Sequence, residues 1–154
     1  MIPKSPARLV LDTNICLDLF VYRDPRWHRL LQSMEAGKVS CVTREDCRNE
    51  WVLVLEYARF ALDDRAKQGA LEEFDRLIRL ADTGPTSDVK LPICKDRDDQ
   101  KFLELAASSR ADYLVSKDKA LLKLARRTRK LGLFDIISPE QWVEHHANNM
   151  LAIS

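Results

Sequence analysis

Short apolar runs alternate along the chain with longer stretches of helical periodicity. Arg8 to Leu11 (RLVL) predicts a buried strand that stops at Asp12, and Thr13 or Asn14 then opens a helix reaching about Phe20. Pro25 starts a second helical segment that Gly37 ends. Val39 to Val42 predicts a second strand, after which Thr43 caps a helix carrying Cys47, Trp51, Val54, Leu55 and Ala58 on one face. A long charged amphipathic helix follows over roughly Leu62 to Ala81, and the turn-rich Asp82 to Asp88 reads as a loop. Val89 to Cys94 predicts a third strand, at a sheet edge because of Pro92. Asp98 and Asp99 open a helix with apolar Phe102, Leu103, Leu105 and Ala106. Asp112 to Ser116 and Leu133 to Ile137 complete five strands, separated by a helix over Lys117 to Arg127. Ser138, Pro139 and Glu140 start a terminal helix containing Trp142. Strands alternating with helices define an α/β fold around a mostly parallel sheet.

Composition narrows the function. With 154 residues the chain suits one domain, residues 1–154, and 45% hydrophobic residues suffice for a packed core. The 25 basic and 24 acidic residues nearly cancel, so a globally basic nucleic-acid coat is excluded and any such binding must be local. The sequence offers no transmembrane run and no apolar N-terminal leader, which predicts a cytoplasmic protein without membrane contact. Cys16, Cys41, Cys47 and Cys94 form no CxxC pair and stand at no zinc spacing from His28, His145 or His146, so they read as reduced core residues. The four glycines build neither a dinucleotide fingerprint nor a phosphate-binding loop.

The acids fall in a suggestive pattern. Asp12 ends the first strand and Asp118 follows the fourth, so both meet at one crevice if those strands flank the point where strand order reverses. On the third helix Glu50 lies about 85° from the centre of the apolar stripe, on its flank, whereas Asp46 and Glu45 lie about 125° and 135° away and face water. Asp99 heads the stripe Asp99, Phe102, Ala106, while Asp96 and Asp98 read as cap or surface residues. Asp12 and Asp99 also have a bland reading as helix caps, and any one of the four can be merely structural. Four clustered carboxylates repel: a pair 4 Å apart costs about 4 kcal/mol at an effective dielectric near 20. Either protons are retained or a divalent cation neutralises the cluster, and an all-oxygen donor set favours Mg2+ or Mn2+. Two such ions can activate a water and stabilise a leaving oxygen in phosphodiester hydrolysis.

Arg44, Arg48, Lys95, Arg97, Lys117 and Lys119 lie near these acids in sequence and are candidates to hold an RNA backbone, positioning it without selecting its sequence. The basic run Lys123 to Lys130 is either a phosphate-tracking patch or a solvated helix end. Trp51 and Trp142 fall on apolar faces, leaving Trp27 as the tryptophan to consider for an interface.

Together, RLVLDTN, DRDDQKFLELA, ADYLVSKDKALL and LFDIISPEQW resemble a PIN domain, in the flavour of bacterial toxin components of toxin–antitoxin systems related to VapC-type toxins. The resemblance covers about Leu9 to Trp142. It implies a three-layer α/β/α sandwich with strand order 3-2-1-4-5 and a Mg2+- or Mn2+-dependent endoribonuclease. Its acid quartet maps onto Asp12, Glu50, Asp99 and Asp118 as metal-holding catalytic residues, with Thr13 and Asn14 as polar residues that orient them. Ser116 stands where the family often has Thr and keeps the hydroxyl, Ala120 replaces a further acid, and DRDD in place of DPDD leaves Asp98 beside Asp99 as a ligand candidate. The implied partners are an RNA substrate, a cognate antitoxin and, as is common in the family, a second copy. The alternative is a non-catalytic PIN-like RNA-binding or complex-assembly module, which would be expected to lose acids. A haloacid-dehalogenase-type phosphatase needs an acid where Asn14 stands, and a receiver domain needs an acidic pair where LDTN supplies one Asp.

Overall fold

The computed structural model describes residues 6–81 and 90–145. The loop read at Asp82 to Asp88, together with Val89 and His146, lies outside them. In chain order the elements are β1 (Ala7–Leu11), α1 (Thr13–Phe20), α2 (His28–Glu35), β2 (Val39–Thr43), α3 (Glu45–Leu55), α4 (Asp64–Leu77), β3 (Ile78–Leu80), α5 (Gln100–Ser108), β4 (Tyr113–Val115), α6 (Lys119–Leu122), α7 (Ala125–Lys130) and β5 (Asp135–Ile137). Residues 139–145 are helical. All four strand pairings are parallel, and the order is β3-β2-β1-β4-β5, as the resemblance implies.

Alternation along the strands divides the core. Leu9, Leu11, Cys41, Val115 and Ile78 face one side, where they meet Ile15, Leu19, Leu30, Trp51 and Phe74 from α1 to α4. Val10, Val42, Leu114 and Ile136 face the other, where they meet Phe102, Leu103 and Ala106 of α5 and Leu121 of α6. Strands apolar on both faces require this double cover, and the result is the three-layer α/β/α sandwich. Trp51 stacks on Phe74 with ring centroids 5.6 Å apart, and Phe20 meets both rings edge-on, which locks α1, α3 and α4 together.

Several local expectations are corrected. The third strand is Ile78–Leu80, cut from the end of the long helix expected to reach Ala81, and not Val89–Cys94. α4 passes into β3 with no loop: Ile78 is both its cap and the first strand residue, at φ −124° and ψ 117°. Residues 90–94 are irregular, and the Gln100 side chain satisfies their backbone by accepting from Cys94 N–H at 2.7 Å and donating to the Pro92 carbonyl at 3.1 Å. The cap of α1 is Asp12 itself, and Arg44 rather than Thr43 occupies the cap position of α3, without a side-chain bond. The helix expected over Lys117 to Arg127 is divided into α6 and α7. Trp27, considered above for an interface, is buried at 3% exposure.

Candidate metal centre

The sheet brings the two strand-end acids together. β1 and β4 are neighbours with Leu11 opposite Val115, and Asp12 N–H extends the ladder to the Val115 carbonyl at 3.2 Å. Asp12 and Ser116 therefore leave adjacent strands side by side, at the point where strand order reverses. The Ser116 hydroxyl donates to Asp12 Oδ2 through a short bond and accepts from Asp118 N–H at 2.9 Å, so one serine ties both acids. Asp12 Oδ1 accepts from Ile15 N–H at 3.0 Å and caps α1; Asp118 Oδ1 accepts from Ala120 N–H at 2.9 Å and caps α6. Asp12 and Asp118 are thus both helix caps, whereas Asp99, which the sequence also offers as a cap, makes no side-chain cap bond.

Asp99 arrives from the other direction. A 3-10 turn over Arg97–Asp99 precedes α5, and Asp99 stands at the helix cap position with no side-chain cap bond. Carboxylate oxygens of Asp96, Asp99 and Asp118 all lie within 4.8 Å of one another, and no other such group is found among the described residues. Asp96 also accepts from Asp98 N–H at 3.0 Å. Asp98 is exposed, and its carbonyl accepts from Lys101 Nζ at 2.5 Å.

Glu50 stands at the flank of α3, partly buried, while Glu45 and Asp46 are exposed, as the angular argument required. Neither Glu50 nor Asp12 is in the group that Asp96, Asp99 and Asp118 form; Asp12 stands next to that group through Ser116. The Thr13 hydroxyl donates to Glu50 Oε2 through a short bond, and Lys101 Nζ pairs with Glu50 Oε1 at 2.9 Å. Thr13 therefore links the fourth acid to the residue beside Asp12, and the Lys101 cation compensates Glu50. Removing the hydroxyl in Thr13→Val is expected to cost about 1 kcal/mol of unfolding free energy in a urea titration. An unchanged midpoint would mean that the Thr13–Glu50 bond contributes nothing to holding α1 against α3.

Burial sets the proton affinity of the cluster. Asp12 is 3% exposed, and desolvation pushes its carboxyl up to about 6, against the opposing pull of the Ser116 and Ile15 hydrogen bonds. Asp99 is pushed up to about 8 by burial first, then by its hydrogen bond with Asp118 and that neighbour's charge. Asp118 is lowered chiefly by the same bond. The two titrate as a coupled pair in which Asp99 has the higher proton affinity. Asp99 Oδ2 is buried and no donor of the protein reaches it. An orphaned carboxylate oxygen facing two more carboxylates, in an all-oxygen set, fits a hard divalent cation.

The basic candidates are dispersed. Arg44 pairs with Asp46 at 2.7 Å and Glu104 at 3.5 Å, and Arg48 with Asp75 at 2.8 Å. Lys117 pairs with Asp18 at 2.5 Å. Arg97 and Lys119 are exposed beside the aspartates in sequence, Asn14 is exposed at the start of α1, and the 123–130 basic run lies on and beside α7. Asp96 and Lys101 escaped the sequence reading. Asp96 makes a good turn cap, which already explained it, and Lys101 carries no signal until α3 and α5 are placed against each other.

A five-stranded parallel sheet with acids at the ends of its two central neighbours matches a known class. The PIN domain family matches the chain over residues 8–120, more than half its length. The chain belongs to the PIN domain family, whose fold is of nuclease type and whose members are typically metal-dependent nucleases. No curated protein shows significant similarity to it. Among the described residues no helix is long and apolar enough to cross a membrane.

Proposed function

We propose that this PIN domain is a Mg2+- or Mn2+-dependent endoribonuclease and the toxin of a toxin–antitoxin pair. The observation that carries the nuclease reading is the convergence of Asp96, Asp99 and Asp118 beside buried Asp12, with one carboxylate oxygen left without a donor. A module that only binds RNA has no use for three aspartates converging on one point, whereas a cation site does.

In this reading Asp12, Asp99 and Asp118 hold the cation and Asp96 closes one side. Ser116 fixes Asp12 and Asp118 in register, so neither acid has to reorganise. Asp99, whose proton affinity burial raises, would have to be ionised to hold a cation. Glu50 keeps Thr13 and Lys101 in place at the rim. When bound, a divalent cation supplies Lewis-acid polarisation of the scissile phosphate and a lowered pKa for water. The net acidic crevice suits an antitoxin that inserts a basic side chain, and a homodimer belongs to the same proposal.

A pool of structured and single-stranded RNA incubated with the protein in Mn2+, Mg2+ or EDTA tests the activity. Cleavage with either cation and none in EDTA is the expected result; cleavage indifferent to EDTA would remove the metal from the mechanism. For the toxin role, induced expression is expected to arrest growth of a bacterial host.

A further inference from the structure

An open groove of about 330 Å3 is lined in part by chain neighbours of the two strand-end acids. Asn14, two residues after Asp12, and Lys117, just before Asp118 and paired with Asp18, line it together with Asp18, Tyr22, Arg59 and Phe60. Its size lies at the low end for small-ligand sites. Tyr22 meets Phe60 edge-on with centroids 6.1 Å apart, and Tyr57 stacks on Phe60 at 6.3 Å with only 6° between the planes. The Arg59 guanidinium lies 5.0 Å from the Phe60 centroid and 5.5 Å from that of Tyr57, and no carboxylate pairs with it among the described residues. Ala61, left-handed at φ 48°, terminates the 3-10 turn over Ala58–Phe60 that presents Arg59 and Phe60.

The placement of the rings is selective. Tyr22 is 59% exposed and Tyr57 47%, and they are the exposed aromatic residues among the described part of the chain. Both belong to this one patch, whereas all three tryptophans are buried. Exposed rings beside a guanidinium that no carboxylate neutralises among the described residues match what an unpaired nucleotide requires: a π-face for the base and a cation for the phosphate. A paired base, stacked within a helix, offers no free face to Tyr22.

Resting on the ribonuclease reading, we propose that this groove is a base-stacking subsite that takes an unpaired nucleotide flanking the scissile phosphate, with Tyr22 against the base and Arg59 toward the backbone.

The test is equilibrium binding of a fluorescein-labelled single-stranded oligoribonucleotide, and of the same strand in a duplex, to the full chain in EDTA, with cleavage in Mn2+ followed in parallel. Tyr22→Ala is expected to weaken single-strand binding about 5- to 100-fold and leave duplex binding unchanged, while Tyr22→Phe, which keeps the ring, binds as the wild type does. Single-strand binding unchanged in Tyr22→Ala, an equal loss on the duplex, or no RNA bound by the wild type overturns the subsite. The first of these would leave the patch as a protein-docking face. Wild-type cleavage in Mn2+ that Tyr22→Ala does not alter keeps the nuclease and removes the subsite. Tyr22-dependent binding without any cleavage keeps the subsite and removes the nuclease.

Discussion

Asp12→Asn is expected to abolish cation-dependent RNA cleavage and, at pH 7 in EDTA, to unfold at a higher temperature than the wild type. Two properties of one side chain give these opposite effects. As a ligand, the carboxylate cannot be replaced by an amide; disturbing residues that merely support a metal ligand costs about 10- to 100-fold, so loss of the ligand itself should exceed that. As a buried charge, it destabilises the cation-free fold. Its carboxyl moves from 3.8 to about 6 on folding, a rise of about two units that amounts to about 3 kcal/mol at neutral pH. Asparagine keeps the cap on Ile15 N–H, since it serves that position as well as aspartate does. Ser116 must turn its hydroxyl away from the new amide, which offsets part of the gain. A net gain of about 1–2 kcal/mol corresponds to a few degrees in midpoint for a chain of this size. Thermal unfolding and the cleavage assay on the same preparation check both halves. A stable variant that still cuts RNA would remove Asp12 from the metal centre, and an unstable one would mean that the cap needs the charge.

Stability of the cation-free protein is expected to fall as pH rises from about 4 to above 8, and Mn2+ to reverse the fall. Asp12 and Asp99 both bind their proton more tightly folded than unfolded, with folded values of about 6 and about 8 against 3.8. Between 3.8 and the folded value the native state retains a proton that the unfolded chain has released, so raising the pH favours unfolding. The Asp12 contribution is spent just above pH 6, while that of Asp99 continues past pH 8. Asp118 runs the other way: its lowered carboxyl contributes stability present above 3.8 and lost in stronger acid, so it does not act in this window. A cation replaces those protons. At a hundred times its dissociation constant it adds about 2.7 kcal/mol, and it binds best where Asp99 is already ionised. Scanning calorimetry at pH 5, 6.5 and 8, with Mn2+ or EDTA, should show the largest cation-induced shift at pH 8 and little shift in Asp99→Asn. A shift independent of pH, or retained without Asp99, would place the cation elsewhere.

How much of this was readable in the sequence depends on whether the signal is local. Asp12 stands out because a buried run ends on it, and Asp118 because it follows another such run by a fixed step. Asp99 follows from its place at the head of an apolar stripe. β3 was hidden because Phe74, Leu77 and Ile78 continue a helical stripe through the residue at which the backbone turns extended; helix and strand want the same apolar positions there. Val89 to Cys94 has the composition of a strand, but among its described residues the Gln100 side chain takes the Cys94 N–H and the Pro92 carbonyl, a contact no periodicity reports. The Glu50–Lys101 pair is likewise a property of two helices 51 residues apart in sequence. Tryptophan is the ring type the sequence offers first for an interface, but its large apolar rings are drawn into the core, whereas Tyr22 and Tyr57 tolerate water at their hydroxyls.

Asp12 both caps α1 and faces the cluster, whereas Asp99 caps nothing. The two positions should therefore drift differently in descendants that abandon catalysis. Selection on folding alone still holds position 12 to small hydrogen-bonding residues, with asparagine and serine as the accessible exits, but places no such limit on position 99. An acid retained at position 12 is thus weak testimony that a PIN-domain lineage still cuts RNA, and the fate of the residue aligned with Asp99 is the better historical marker of when the activity was lost.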